Sequence, residues 1–218
     1  PPKAKNESPN IKEILGLDAL RLLNDTKYLV FFISSILICI PLAFYYQDAN
    51  LFLNELNMAN AAGVMTLGQI SEALFILLLP IFLNKYGIKK TLVVGMLAWS
   101  FRYVLFAFGD TGSNIWMLIF GIILHGICYD FFFVSGQIYT DFKAGEKYKS
   151  SAQGLITLAT YGIGMLIGFR MAGIITDMYV LEVGHNWKEI WTYPAIFAAV
   201  VLVIFILTFK NEKIIVKK

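Results

Sequence analysis

Residues 61–108 read AAGVMTLGQISEALFILLLPIFL (61–83), NKYGIKK (84–90) and TLVVGMLAWSFRYVLFAF (91–108). Two long apolar runs flank a short stretch that carries three lysines, Lys85, Lys89 and Lys90. At about 1.5 Å per helical residue, either run covers roughly the 30 Å of hydrocarbon in a bilayer. This pattern, apolar run, basic loop, apolar run, makes the stretch a pair of membrane-spanning helices. The same pattern extends in both directions along the chain.

Of the 218 residues, 58% are hydrophobic and 15% charged, and the mean hydropathy is +0.67. A soluble domain carries about a quarter charged residues. No run alternates with a period of two, which excludes a transmembrane barrel. The expectation is an all-α integral membrane protein of six transmembrane helices, at Tyr28–Gln47, Ala61–Leu83, Thr91–Phe108, Ile115–Tyr139, Leu155–Tyr179 and Ile190–Phe209. Residues 1–27 then form a cytoplasmic linker, 28–209 the bundle and 210–218 a cytoplasmic tail. Helical apolar spacing over Ile11–Leu23 fits an amphipathic helix in the inner interface, or equally a connector packed on the spans. The opening Pro-Pro-Lys-Ala-Lys-Asn-Glu-Ser-Pro-Asn reads like a linker, an indication of a chain cut from something longer. Cys39 and Cys128 lie inside apolar runs and imply no disulfide framework.

Basic residues set the orientation. Fifteen of the eighteen lysines and arginines fall in the N-terminal segment, the loops after spans two and four, and the tail. Lys188 alone lies on the other side, so both ends face the cytoplasm. The net charge of +3 therefore reflects loop lysines at a membrane surface and gives no reason to expect nucleic acid. Trp116, Trp187 and Trp191 sit at the opposite span ends, as an outer aromatic belt would. Arg170 is expected to snorkel outward and cap Asp177. Gly162, Gly164, Gly168, Ala172 and Gly173 give span five a small-residue face. It is either a static packing seam, the favoured reading, or a sliding surface.

Three ionisable residues lie at membrane depth: Glu72, Arg102 and Asp130. Each costs about 2.5–3.5 kcal/mol at a helix centre if unpaired, so they must pair, neutralise or face water. At about 1.5 Å per residue, Glu72 and Arg102 are near the midplane and Asp130 is in the inner half. Gln69 and Glu72 are three apart and share a face. His125, Tyr129 and Asp130 share a broad face of span four. Together they offer an amide, two carboxylates, an imidazole and a phenol, a set that can bond a polar, uncharged, aromatic-containing solute. The alternative is that these groups only join helices, with Arg102 ion-paired to Glu72 or Asp130. An aspartate that is neutral when desolvated and charged when its cavity opens to the cytoplasm would couple solute to protons. That role falls to Asp130.

The loop Asn84-Lys85-Tyr86-Gly87-Ile88-Lys89-Lys90 resembles the basic loop motif of the major facilitator superfamily. Longer stretches are similar to bacterial nucleoside:proton symporters of that superfamily. They include Gln69-Ile70-Ser71-Glu72-Ala73-Leu74, Ala98-Trp99-Ser100-Phe101-Arg102-Tyr103, Gly126-Ile127-Cys128-Tyr129-Asp130-Phe131-Phe132 and Ser151-Ala152-Gln153-Gly154. The resemblance covers nearly the whole chain and is to the second, C-terminal six-helix half of a twelve-span fold. It implies proton-driven nucleoside uptake across a bacterial inner membrane, with no cofactor and with a missing N-terminal half as partner. It also implies that this chain is inactive alone. Gln69 and Glu72 match positions that bond the nucleoside, Tyr129 an aromatic position beside the base, and Asp130 the proton-coupling acid. The sequence departs from the pattern at His125, where a tyrosine is found. It departs again in the first span, where the expected Gln and Asn are absent and Tyr46 or Gln47 stands in. The competing classes are a membrane scaffold whose charges fix packing, and, more weakly, an intramembrane enzyme. The latter lacks a Ser, Cys or metal-ligand cluster near Glu72 and Asp130.

Overall fold

The computed structural model describes residues 17–212, and everything between them is helix, turn or short loop. The first six residues of the expected amphipathic helix, 11–16, lie outside the described residues, as does the tail from 213. A 3₁₀ helix, Leu17–Asn24, leads in. Four helices are long and apolar enough to cross a membrane: α1 (Thr26–Glu55), α2 (Ala61–Phe108), α3 (Ile115–Met178) and α4 (Trp187–Thr208).

Helix α1 begins where Asp25 caps it. One carboxylate oxygen accepts the N–H groups of Lys27 at 2.8 Å and Tyr28 at 3.4 Å. Its expected end at Gln47 is too early. The helix runs on to Glu55, because Asp48 is buried and accepts the Thr176 hydroxyl at 3.1 Å. At the far end Glu55 holds both His185 Nδ1 and the Trp187 indole N–H, each at 2.8 Å, and so ties α1 to the start of α4.

A 48-residue helix such as α2 would be about 72 Å long if straight, more than twice the hydrocarbon thickness. It is interrupted at Gly87, with φ 75° and ψ 172°. Helix α3, of 64 residues, is interrupted in the same way at Gly145, with φ 62° and ψ 175°. That backbone conformation is essentially open to glycine alone. The flanking residues stay helical, so the basic stretch 84–90 that the sequence presents as a loop is helix broken at one residue. Lys89 donates to the Ile206 carbonyl at 2.8 Å near the end of α4. Across the second break, Gln153 donates to the Gln137 carbonyl at 2.8 Å and to Asp141 at 2.7 Å.

The core sits between α1, the second arm of α2 and α4. Trp191 is fully buried there, with its ring stacked on Tyr103 at 5.6 Å and packed on Phe106 at 5.2 Å and Phe52 at 5.3 Å. Such pairs each add about 0.5–1.5 kcal/mol beyond area burial. This corrects the aromatic-belt expectation for Trp187 and Trp191, which are core residues because Glu55 draws the start of α4 inward. Trp116 is exposed. Arg170 is exposed too, but no ion pair joins it to Asp177 among the described residues. The small-residue face of α3 is a packing seam against α1. A Cβ on Gly164 would lie 2.7 Å from Cys39 Cβ, and one on Gly168 2.6 Å from Ala43 Cβ. Both cysteines are free and buried.

Candidate solute site

Close approach of two backbones builds the site. A Cβ on Gly126 would stand 2.5 Å from the Ser71 carbonyl carbon and 2.6 Å from the Glu72 nitrogen. The Ser71 hydroxyl donates to the Ile123 carbonyl across the same seam. With α2 pressed onto α3 in this way, the Glu72 carboxylate lies 3.7 Å from His125 Nε2. Gln69, three residues before Glu72, is exposed on the same face.

Arg102 is completely buried, and its guanidinium lies 3.5 Å above the Tyr45 ring. A cation over an aromatic face is stabilised by about 0.5–2 kcal/mol, the upper figure when desolvated. Arg102 Nη1 is 3.1 Å from His125 Nδ1. A guanidinium can only donate, so Nδ1 accepts and the imidazole proton resides on Nε2, which faces Glu72. No ion pair joins Arg102 to Glu72 or Asp130 among the described residues. In place of the alternative arginine–carboxylate pair, Arg102 hydrogen-bonds His125, whose ring lies between Arg102 and Glu72. The imidazole is itself stacked between Tyr45 at 5.4 Å and Tyr129 at 5.9 Å.

Asp130 is fully buried, and neither carboxylate oxygen has a hydrogen-bond partner among the described residues. It opens a π-helical segment, Asp130–Val134, whose wider turns are a common feature of functional sites. A second π segment, Leu158–Gly164, carries Tyr161, and the Tyr161 hydroxyl is 2.7 Å from that of Tyr129. A narrow cleft with about 20 Å³ of free space lies between the two segments and α1, lined in part by Phe31, Phe133, Thr160 and Tyr161. Tyr46 is half-exposed and within electrostatic reach of Glu72 and Tyr129. The structure thus gathers Tyr46, Glu72 and Tyr129 at one face, with exposed Gln69 alongside Glu72. It buries His125 behind Glu72 and sets Asp130 deeper.

Two contributors escape the sequence reading. Tyr45 is hidden by its neighbour Tyr46, although adjacent tyrosines on a helix point to different faces, one under Arg102 and one outward. Tyr161 lies within a glycine-rich stretch that reads as packing. The loop-motif residues Asn84, Lys85, Gly87, Lys89 and Lys90 are remote from this site and belong to the break in α2.

An all-helical bundle with titratable groups buried at mid-helix has the architecture of a membrane transporter, and solved structures of that kind superpose on it. Two crystal structures of the nucleoside transporter NupG match with TM-scores of 0.85 (its D323A mutant) and 0.81. They are 30% and 31% identical to this chain, cover 94% and 95% of it, and in each case 54% of the solved chain is matched. The fold is therefore that of the major facilitator superfamily. The sequence profile of the nucleoside H+ symporter family matches residues 1–214, and the chain belongs to that family. Among curated proteins of Escherichia coli K12, it is 44% identical to one named "Putative nucleoside transporter YegT", over 97% of this chain and 52% of that protein. It is 32% identical to the nucleoside permease NupG, over 92% and 51%. The chain spans about half the length of the curated relatives it matches.

Proposed function

We propose that this chain is one bundle of a proton-coupled nucleoside carrier of a bacterial inner membrane. The interruptions at Gly87 and Gly145 divide the long helices into arms, which supports a reading of six spans: 26–55, 61–86, 88–108, 115–144, 146–178 and 187–208. Both breaks lie in the lysine-rich stretches, so the positive-inside rule places them and both chain ends in the cytoplasm. Coverage of about half of each relative supports the reading that a second bundle of like size completes the carrier, with solute held between the two.

The observation that carries the proposal is the open polar face of a bundle whose remaining exposed side chains at membrane depth are largely apolar. Gln69 and Glu72 supply an amide and a carboxylate for nucleoside hydroxyl and ring N–H groups. Tyr46 and Tyr129 supply aromatic surface for the base. Asp130, with unpartnered oxygens, exchanges the coupled proton as its surroundings open and close. His125 supports Glu72 from behind.

The test is uptake of radiolabelled uridine by cells expressing the full-length protein. Glu72→Gln should abolish saturable uptake. Asp130→Asn should retain uridine binding but lose accumulation driven by an imposed pH gradient. Normal uptake by Glu72→Gln would instead favour a scaffold whose buried charges only hold helices together.

A further inference from the structure

We infer that His125 is a positioning residue, a neutral imidazole that accepts a hydrogen bond from Arg102, turns its Nε2–H toward Glu72 3.7 Å away and so aims the carboxylate that meets solute. The inference rests on the nucleoside-carrier reading above. Three independent features of the structure support it. Arg102 Nη1 reaches His125 Nδ1 at 3.1 Å, which fixes the proton on the other nitrogen. That nitrogen, Nε2, faces Glu72 at 3.7 Å, and Glu72 keeps a third of its side chain exposed, with room to close on it. The imidazole cannot turn away, because Tyr45 and Tyr129 sandwich it and Gly68 leaves space for nothing larger beneath its Cβ, at 3.3 Å.

The arrangement separates a charge from its effect. The guanidinium is fully buried over an aromatic ring and never touches solute. Its hydrogen bond nevertheless defines which His125 nitrogen donates, and hence that Glu72 meets a donor on its inner side. The outer lone pairs of the carboxylate are left for the hydroxyl groups of a nucleoside sugar or the N–H groups of its base. Among the described residues no hydrogen bond joins the Asp130 carboxylate to these three residues, so the relay is assigned to solute affinity.

The experiment uses full-length protein and four variants: His125→Phe, His125→Gln, Glu72→Gln and the double variant His125→Phe with Glu72→Gln. Phenylalanine keeps the ring between the tyrosines and loses both the acceptor for Arg102 and the N–H that faces Glu72. The KM for uridine should rise about tenfold, the size expected for losing a hydrogen bond to a charged group, with Vmax and proton-driven accumulation unchanged. Glutamine can accept from Arg102 and donate to Glu72, and should bring KM back to within about threefold of wild type. In uridine binding the double variant should be no weaker than Glu72→Gln alone, since the relay acts only through Glu72. Wild-type KM for His125→Phe, failure of His125→Gln to recover, or multiplying effects in the double variant would each overturn the inference. Histidine ¹⁵N spectra test the relay without any solute. His125, identified by the signal lost in His125→Phe, should be the neutral tautomer protonated at Nε2. An Nδ1-protonated ring refutes the relay even if uridine is carried. The expected tautomer in a protein that fails to carry uridine keeps the relay and removes the nucleoside reading.

Discussion

Replacing Gly126 by alanine tests the close approach on which the site depends. The new Cβ would lie 2.5 Å from the Ser71 carbonyl carbon and 2.6 Å from the Glu72 nitrogen, whereas ordinary contact begins at 3.4 Å. Because those atoms are backbone, no rotamer change relieves the clash, and residues 125–129 must retreat from α2 by about 0.8–0.9 Å, the shortfall to the contact distance that close packing enforces. Overpacking of this kind costs about 1–3 kcal/mol. Losing the bond from Ser71 to the Ile123 carbonyl adds about 1 kcal/mol. Alanine's better helix propensity returns about 1 kcal/mol. The net destabilisation is about 1–3 kcal/mol, or a fall in melting temperature of about 3–10 °C for a chain of this size. A thiol-reactive fluorogenic dye in detergent reads this out directly, since Cys39 and Cys128 are both free and buried until the bundle opens. The same retreat widens the gap between Glu72 and His125, so uridine KM should rise alongside. A variant that melts within about 1 °C of wild type, with unchanged KM, would refute the close-approach argument.

Gly87→Ala forces a side chain into a backbone region reserved for glycine and should cost about 1–3 kcal/mol, measured by the same melt; an unchanged melting temperature would mean the break relaxes into ordinary helix. Lys143 bridges Asp25 at 2.7 Å and Glu212 at 2.6 Å, so Lys143→Met should lower stability by about 1 kcal/mol. Burial works against the Asp25 carboxylate, but Lys143 and the capping N–H groups outweigh it and hold Asp25 below its ordinary value of 3.8. The Asp25 contribution is thus complete above pH 3.8 and lost as pH falls through its lowered value. The difference between wild type and Lys143→Met should therefore stay constant from pH 5 to 9, and a slope within that window would refute the assignment. Tyr161→Phe removes the hydroxyl that pairs with Tyr129 and should raise uridine KM a few-fold, about the worth of one neutral hydrogen bond, in a transport assay.

The helical class and the membrane character were legible because hydropathy and helix length are one-dimensional properties of the chain. So was the seam of Gly164 and Gly168, whose four-residue spacing puts both on one face whatever lies opposite. Depth was legible for Arg102 and Glu72, since residue count converts to distance along a helix axis. Azimuth between helices was not. Nothing in the sequence says that His125 stands between them, so the partner of Arg102 stayed open among Glu72, Asp130 and a residue outside the chain. Helix ends were misjudged where charge interrupts an apolar run, as at Asp48, whose partner Thr176 is 128 residues away. The π segments were not legible either: Asp130–Val134 carries no helix-breaking residue, and the glycines of Leu158–Gly164 read as a packing face.

The burial of Arg102 has a consequence for how the chain is made. One side of the guanidinium is covered by Tyr45, from a helix synthesised earlier, and the other meets His125, translated 23 residues later. At synthesis rates of about 5–20 residues per second, the arginine waits roughly 1–5 s for its histidine. During that interval the Tyr45 ring from α1, with Trp99 and Phe106 of the arginine's own helix, covers the charge. The order of helices along the chain thus doubles as an order of assembly, in which α1 must stay beside the insertion site long enough to receive α2.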